Sequence, residues 1–131
     1  MKDSIRNLEI EQKLNEQAPS EIKEFLAEPY RIDREAVEFY SQNGYVKLNQ
    51  VLVGGALRYY RELIGHAVSY TFREDDRVLA DKSIYQQSFL QACNLWERYP
   101  AIKSFTKARR FANVAKELME VSGVRLWFDQ A

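Results

Sequence analysis

Few side chains in this sequence could bind a metal or attack a substrate. It contains one histidine, His66, and one cysteine, Cys93. A protein-supplied zinc or iron site normally needs several His, Cys or carboxylate ligands at set spacing, and no acidic residue stands two positions after His66. We therefore predict no catalytic residue and no metal ligand, and we interpret His66 as a surface or half-buried residue of a helix.

Three further features indicate chemistry only weakly. Cys93 and His66 form the one possible Cys–His pair, and no nucleophile motif surrounds either. Gly54-Gly55 precedes a predicted helix but lacks the lysine and the spacing of a phosphate-binding loop. A basic cluster could hold an acidic group, although helix surfaces often carry such residues; it comprises Lys103, Lys107, Arg109 and Arg110. By composition and spacing alone, the residues indicate an α+β protein without an active site.

The composition is typical of one folded domain. With 131 residues, of which 46% are hydrophobic, the chain can bury a core. Its 19 Lys and Arg balance its 19 Asp and Glu, so we expect neither nucleic acid nor a membrane surface as a partner. The polar N-terminus, the absence of a long apolar run and the single cysteine predict a cytoplasmic protein.

Apolar spacing predicts helices over 3–17, 21–27, 34–42, 56–69 and 107–120. Asp33 should cap the third helix, and Asn43-Gly44 should end it in a left-handed turn. The fourth helix has the clearest apolar face, made by Leu57, Tyr60, Ile64, Ala67 and Val68.

Two stretches favour β-structure. Residues 45–48 form a short β-prone run, and residues 124–131 (VRLWFDQA) alternate at the strand period of two. The polar stretch 73–82 predicts a surface loop. The aromatic stretch 83–100 fits neither period, so its structure stays open between strand and helix.

Three blocks of sequence, taken in order, resemble a known family. They are FYSQNGYVKLNQVL (39–52) followed by LRYYRELI (57–64), then SFLQACNLWERYPAIKSFTKARRFANVAKELM (88–119), then GVRLWFDQA (123–131). Together they resemble the N-terminal part of the phytanoyl-CoA dioxygenase family, whose members are Fe(II)- and 2-oxoglutarate-dependent oxygenases.

The resemblance covers about residues 34–131 and implies a fold. It implies an α+β fold with N-terminal helices and the first strands of a double-stranded β-helix (jelly-roll or cupin-like), incomplete in this chain. Residues 1–32 would form an N-terminal helical arm, and residues 33–131 the N-terminal part of a phytanoyl-CoA dioxygenase-like domain.

The resemblance also implies where the family's chemistry resides. In the family, the Asp-Gln-Ala strand is followed by a His-x-Asp motif, and a later His and Arg complete the iron site and the clamp on the cosubstrate carboxylate. This sequence contains none of these residues after Gln130. We therefore expect no oxygenase activity from the chain alone, and Fe(II) and 2-oxoglutarate are implied only for a full-length member.

Three positions carry over from the family pattern, and the period of two adds two more. Gln130 matches the Gln of Asp-Gln-Ala, which looks toward the pocket. Phe128 and Leu126 share its face by the period of two, so the three are candidate substrate-pocket residues, although sheet packing explains Phe128 and Leu126 equally well. Asn94 and Trp96 match a recurring family pattern, and we interpret both as fold support or pocket residues.

Two hypotheses follow for the function. In the first, the chain is the N-terminal portion of such an oxygenase, through truncation, a split gene or an incomplete gene model, and a C-terminal half complements it. In the second, it is a non-catalytic helical, strand-pairing interaction module derived from that family. Such a module would pair its terminal strand with a partner or form a homo-oligomer.

Overall fold

The chain is mostly helical in the computed structural model, which describes residues 2–73, 77–88 and 91–131. Part of the predicted loop (74–76) and part of the stretch left open (89–90) fall outside the described residues. The helices are α1 (Lys2–Asn15), α2 (Ser20–Ala27), α3 (Arg34–Asn43), α4 (Gly54–Arg73), α5 (Ile84–Ser88), α6 (Leu95–Arg98), α7 (Pro100–Thr106) and α8 (Arg109–Leu118). A 3-10 turn at Leu79–Asp81 lies between α4 and α5.

The predicted α+β fold with the first strands of a double-stranded β-helix is wrong. The described residues contain no sheet, and their only β-pairing is an isolated antiparallel bridge between Cys93 and Gln130. Neither 45–48 nor 124–131 forms a strand. Alternation along one segment does not make a strand, because a strand also needs a neighbour that accepts its backbone hydrogen bonds.

The ends of α3 follow from local chemistry and confirm the sequence prediction. The Asp33 carboxylate accepts a hydrogen bond from the Ala36 N–H at 2.8 Å, which caps the first turn. Gly44 adopts a φ of 76° and donates its N–H to the Tyr40 carbonyl. Only glycine takes this left-handed conformation without steric cost, so the helix ends here.

Helix α4 is longer than predicted, and its buried face is rotated from the predicted one. Leu63 and Ala67 are fully buried and Tyr60 is 1% exposed, whereas Leu57, placed on the core face by the sequence pattern, is 46% exposed. The spacing of apolar residues shows that a helix has an apolar face. The neighbouring helices determine which residues at the edge of that face are buried.

The core consists of two apolar clusters that meet on α4. Tyr59 and Ile64 pack against both. The first cluster joins α1, α4, α6 and α7 through Ile10, Leu14, Leu63, Ala67, Ala92, Leu95, Tyr99, Ala101 and Ile102. The second joins α2 to α4 and the start of α8 through Ala18, Ile22, Leu26, Ala56, Tyr60 and Ala108.

None of the helices in the described part combines the length and apolarity needed to span a bilayer.

Arg110 is a buried cation that links α8 to two loops. Its Nε donates to the Val51 carbonyl at 2.7 Å and its Nη1 to the Glu28 carbonyl at 3.2 Å. The guanidinium also lies 4.3 Å from the centre of the Phe25 ring. A buried charge is tolerated where its donors have acceptors and an aromatic face is near. The Arg110 side chain therefore holds the two loops against α8.

The free energy of unfolding should decrease at alkaline pH because of the buried Tyr60 hydroxyl. Burial, helped by the neighbouring Tyr59, raises the pKa of the Tyr60 hydroxyl well above its ordinary value of 10.0. The folded protein therefore keeps a proton that the unfolded chain releases, and this contribution to stability is complete below about pH 10 and is lost as the pH rises beyond it. When the pH is raised from about 8 to about 11, the free energy of unfolding should decrease less in Tyr60→Phe than in the parent protein.

Urea unfolding at both pH values measures this difference. At the lower pH the variant should lose only about 1 kcal/mol, because the hydrogen bond from Tyr60 to the Ala101 carbonyl is long, at 3.3 Å. Tyr45→Phe, at a residue that is 66% exposed, is the matched control and should unfold in alkali like the parent. An equal alkaline loss in Tyr60→Phe and the parent would contradict the prediction.

Adjacent arginines on α8 provide a second test of the fold. Arg110→Met should lower the free energy of unfolding by about 2 kcal/mol, because two backbone carbonyls lose their charged donor. Arg109→Met should change it by less than about 0.5 kcal/mol, since Arg109 is exposed. Urea unfolding of both variants measures the difference. Equal losses of unfolding free energy would contradict the prediction that Arg110 holds the two loops against α8.

Candidate functional site

The segment after α8 returns to the start of α6 and is fixed there by its backbone. Ala92 and Ala131 exchange two hydrogen bonds, N–H to carbonyl, at 2.9 and 3.0 Å. The Asn94 N–H donates to the Asp129 carbonyl at 3.0 Å. The terminal segment (residues 124–131) is thus held at its last three residues by a short antiparallel contact.

The Asp129 side chain is the strongest polar contact of the terminal segment. Its Oδ1 accepts from the Leu95 N–H at 2.9 Å, and its Oδ2 accepts from the Trp96 N–H at 3.2 Å. Oδ2 also accepts from the Thr106 hydroxyl at 2.9 Å. One carboxylate therefore satisfies the free N–H groups at the beginning of α6 and reaches the end of α7.

Sequence reasoning missed this role of Asp129. The backbone of Asn94 is left-handed, with a φ of 54°, and its side chain does not cap α6. The first N–H groups of α6 therefore need a distant acceptor. The single carboxylate of residues 124–131 was the available signal, but nothing local in the sequence pairs it with α6.

The rest of the terminal segment exposes apolar side chains. Leu126 is 42% exposed, Phe128 47% and Trp127 89%. Adjacent exposed aromatic and aliphatic side chains are typical of contact surfaces. This surface contains two of the three predicted pocket residues.

The structure does not gather the three predicted pocket residues into one cavity. Leu126 lines an apolar groove of about 450 Å³ between the terminal segment and α8, together with Phe111 and Met119. Phe128 and Gln130 are not part of its lining, and Gln130 is exposed at the bridge to Cys93.

Asn94 and Trp96 lie where the terminal segment meets the core. Asn94 forms the left-handed turn before α6, and its carbonyl accepts from the Glu97 N–H at 3.0 Å. Trp96 packs against the first apolar cluster, and the Lys107 ammonium lies 4.2 Å from its ring centre. Both positions are consistent with fold support.

The four residues of the basic cluster have different surroundings in the structure. Arg110 is buried against backbone carbonyls, whereas Lys103, Lys107 and Arg109 are exposed. Lys107, whose ammonium lies over the Trp96 ring, and Arg109 line one groove together with Lys23.

The described residues do not fit the iron site that the resemblance implies. In the described part of the chain, no group of three His, Cys, Asp or Glu side chains is close enough to hold a metal ion. His66 is buried, deeper than predicted, and faces Glu11, whereas Cys93 is exposed at the bridge to Gln130.

Removing the Asp129 carboxylate should weaken the attachment of the terminal segment. Asp129→Ala should lower the free energy of unfolding by about 1–2 kcal/mol, because the N–H groups that begin α6 lose their acceptor. It should also speed hydrogen exchange at the amides of Leu95 and Trp96 by about tenfold or more. Amide exchange followed by NMR measures both sites.

The exposed Asp81 of the 3-10 turn provides the control. Asp81→Ala should leave the exchange of both amides as in the parent protein. Unchanged exchange of the Leu95 amide in Asp129→Ala would show that the segment is held without the carboxylate.

Comparison with known proteins identifies no relative: no family model, no curated protein and no solved structure matches this chain. The resemblance to the phytanoyl-CoA dioxygenase family therefore stays a prediction from the three sequence blocks. The function has to be argued from the surface that the terminal segment presents.

Proposed function

We propose that the chain is the helical, N-terminal portion of an Fe(II)- and 2-oxoglutarate-dependent oxygenase of the phytanoyl-CoA dioxygenase type. In this proposal its terminal segment is the surface on which the catalytic portion docks. The resemblance supports the family, and the contact between two of the three blocks supports their common role. The second block supplies Ala92 and Asn94, and the third supplies their partners Asp129 and Ala131.

One observation carries the docking role. The terminal segment is fixed at its end by Asp129 but leaves Leu126, Trp127 and Phe128 exposed. Burying such side chains contributes about 25 cal/mol for each Å² of apolar surface removed from water. A segment that is already ordered also loses little conformational entropy when a partner covers it.

The metal and the cosubstrate belong to the other portion in this proposal. When bound to a complete site, iron would activate oxygen with 2-oxoglutarate as the co-reactant. The described residues of this chain hold neither group, so their contribution is to position the docking segment. The balanced charge gives no support to a nucleic acid or membrane partner, and the exposed, free Cys93 suits a reducing, cytoplasmic compartment.

The nucleotide sequence downstream of the codon for Ala131 tests the family directly. We expect a His-x-Asp motif in one of the reading frames within a few tens of codons. An unrelated gene directly downstream, with no such motif in any frame, would refute the proposal.

Reconstitution from separate portions tests the docking surface. The downstream segment, mixed with the chain, should bind Fe(II) and form succinate from 2-oxoglutarate, while the chain alone should do neither. Phe128→Asp should lower succinate formation by about tenfold or more, because a charge enters an apolar contact. Leu79→Asp, at a residue that is 65% exposed in the 3-10 turn, should not. Succinate formation by the chain alone would contradict the division of roles.

The second candidate is a non-catalytic module that pairs with a second copy of itself. The specific observation in its favour is Trp127, which is 89% exposed beside two other apolar side chains. Light scattering after size exclusion decides between the candidates. A stable dimer that Trp127→Asp converts to monomer would favour the module, whereas a monomer that binds the downstream segment would favour the oxygenase portion.

A further inference from the structure

A small polar cavity lies between α1 and α4, with no residue of the terminal segment in its lining. Its volume is about 170 Å³. Cavities of about 150 Å³ hold molecules as large as benzene when their walls match the ligand. The wall is made by Glu11, Leu14, Asn15, His66, Tyr70, Arg98 and Tyr99.

His66 brings an unpaired polar atom to this cavity. Its side chain is 7% exposed, and its Nε2 is buried with no hydrogen-bond partner in the described structure. The nearest carboxylate oxygen, Oε1 of Glu11, is 3.7 Å away, which is too far for a hydrogen bond. A buried polar atom without a partner costs about 1–3 kcal/mol, so this nitrogen requires a partner inside the cavity.

The geometry specifies what that partner must do. An atom placed beside the gap can lie about 2.8 Å from both Nε2 and Oε1, since the two are 3.7 Å apart. Glu11 accepts hydrogen bonds only, and in the tautomer that carries its proton on Nε2 the imidazole donates one. A hydroxyl group satisfies both, because it accepts from His66 and donates to Glu11.

The charges around the cavity favour a neutral ligand. Glu11 contributes a carboxylate and Arg98 a guanidinium, which lies 5.5 Å from the ring centre of Tyr70 and 5.3 Å from that of Tyr99. The carboxylate and the guanidinium carry opposite formal charges. An anion would be repelled by Glu11 and a cation by Arg98, so neither has an advantage over a neutral molecule.

We propose that this cavity binds a small neutral polyol, with one hydroxyl bridging His66 and Glu11. The apolar surface of Leu14 and the tyrosine rings suits the carbon skeleton, and the Asn15 amide offers further hydrogen bonds to a second hydroxyl. The volume suits a molecule of about three to six carbons. This site is separate from the docking surface and does not depend on the proposed function.

His66 itself reports binding, because it is the only histidine in the sequence. Its imidazole signals in NMR spectra of the ¹⁵N-labelled chain are therefore assigned without mutation. Glycerol and glucose, added in separate titrations into the millimolar range, are the probes. We expect a saturable shift of the His66 signals with at least one of them, and competition between the two if both bind.

Two variants on α1 locate the interaction. Glu11→Leu should weaken polyol binding by about tenfold or more, because a hydrogen bond to a charged acceptor is lost. Glu9→Leu, at an exposed residue of the same helix outside the cavity, should bind like the parent. If Glu11→Leu does not fold, Glu11→Gln replaces it and should show a smaller loss in the same direction.

The remaining outcomes would overturn the proposal. No shift with either polyol would mean that a water molecule alone occupies the cavity. A shift with formate or Zn²⁺ but with neither polyol would refute the neutral ligand. A polyol shift that is unchanged in a folded Glu11 variant would refute the bridging hydroxyl.

Discussion

The burial of α4 is the constraint on which the rest of the fold depends. This helix is covered by α1, α2 and α7, and its residues Tyr59 and Ile64 belong to the margins of both apolar clusters. A 20-residue helix with one apolar face cannot be stable alone in water, so its neighbours must cover that face. Because the two clusters share this helix, a substitution that disturbs the packing of α4 weakens both clusters.

Side chains, rather than a sheet, satisfy the backbone of the connections. The stretch between α3 and α4 was predicted to contain a strand, yet Tyr30 donates its hydroxyl to the Asn49 carbonyl at 2.8 Å and Arg110 donates to Val51. Each of these donors is far from its acceptor in the sequence. Long polar side chains from other elements thus replace the ladder that a β-structure would have supplied.

The sequence predicts what is decided locally and fails where distant parts meet. Asp33 and Gly44 fix the ends of α3 through their own chemistry, and both were predicted correctly. The alternation in 124–131 was real, but it could not reveal whether a neighbouring strand exists. The candidate site shows the same limit: Leu126 was predicted as a pocket residue and lines the groove beside α8, whereas the capping role of Asp129 depends on an N–H group 34 residues away.

The Asp129 contact also makes the terminal segment a reporter on the core. Leu95 belongs to the first apolar cluster, and its N–H is held by the same carboxylate that binds Thr106. A molecule that binds the segment only while it is attached therefore also stabilises its contacts with α6 and α7. By linkage, loosening these helices weakens the binding of that molecule. The chain can thus couple the occupancy of its surface to the rigidity of its interior.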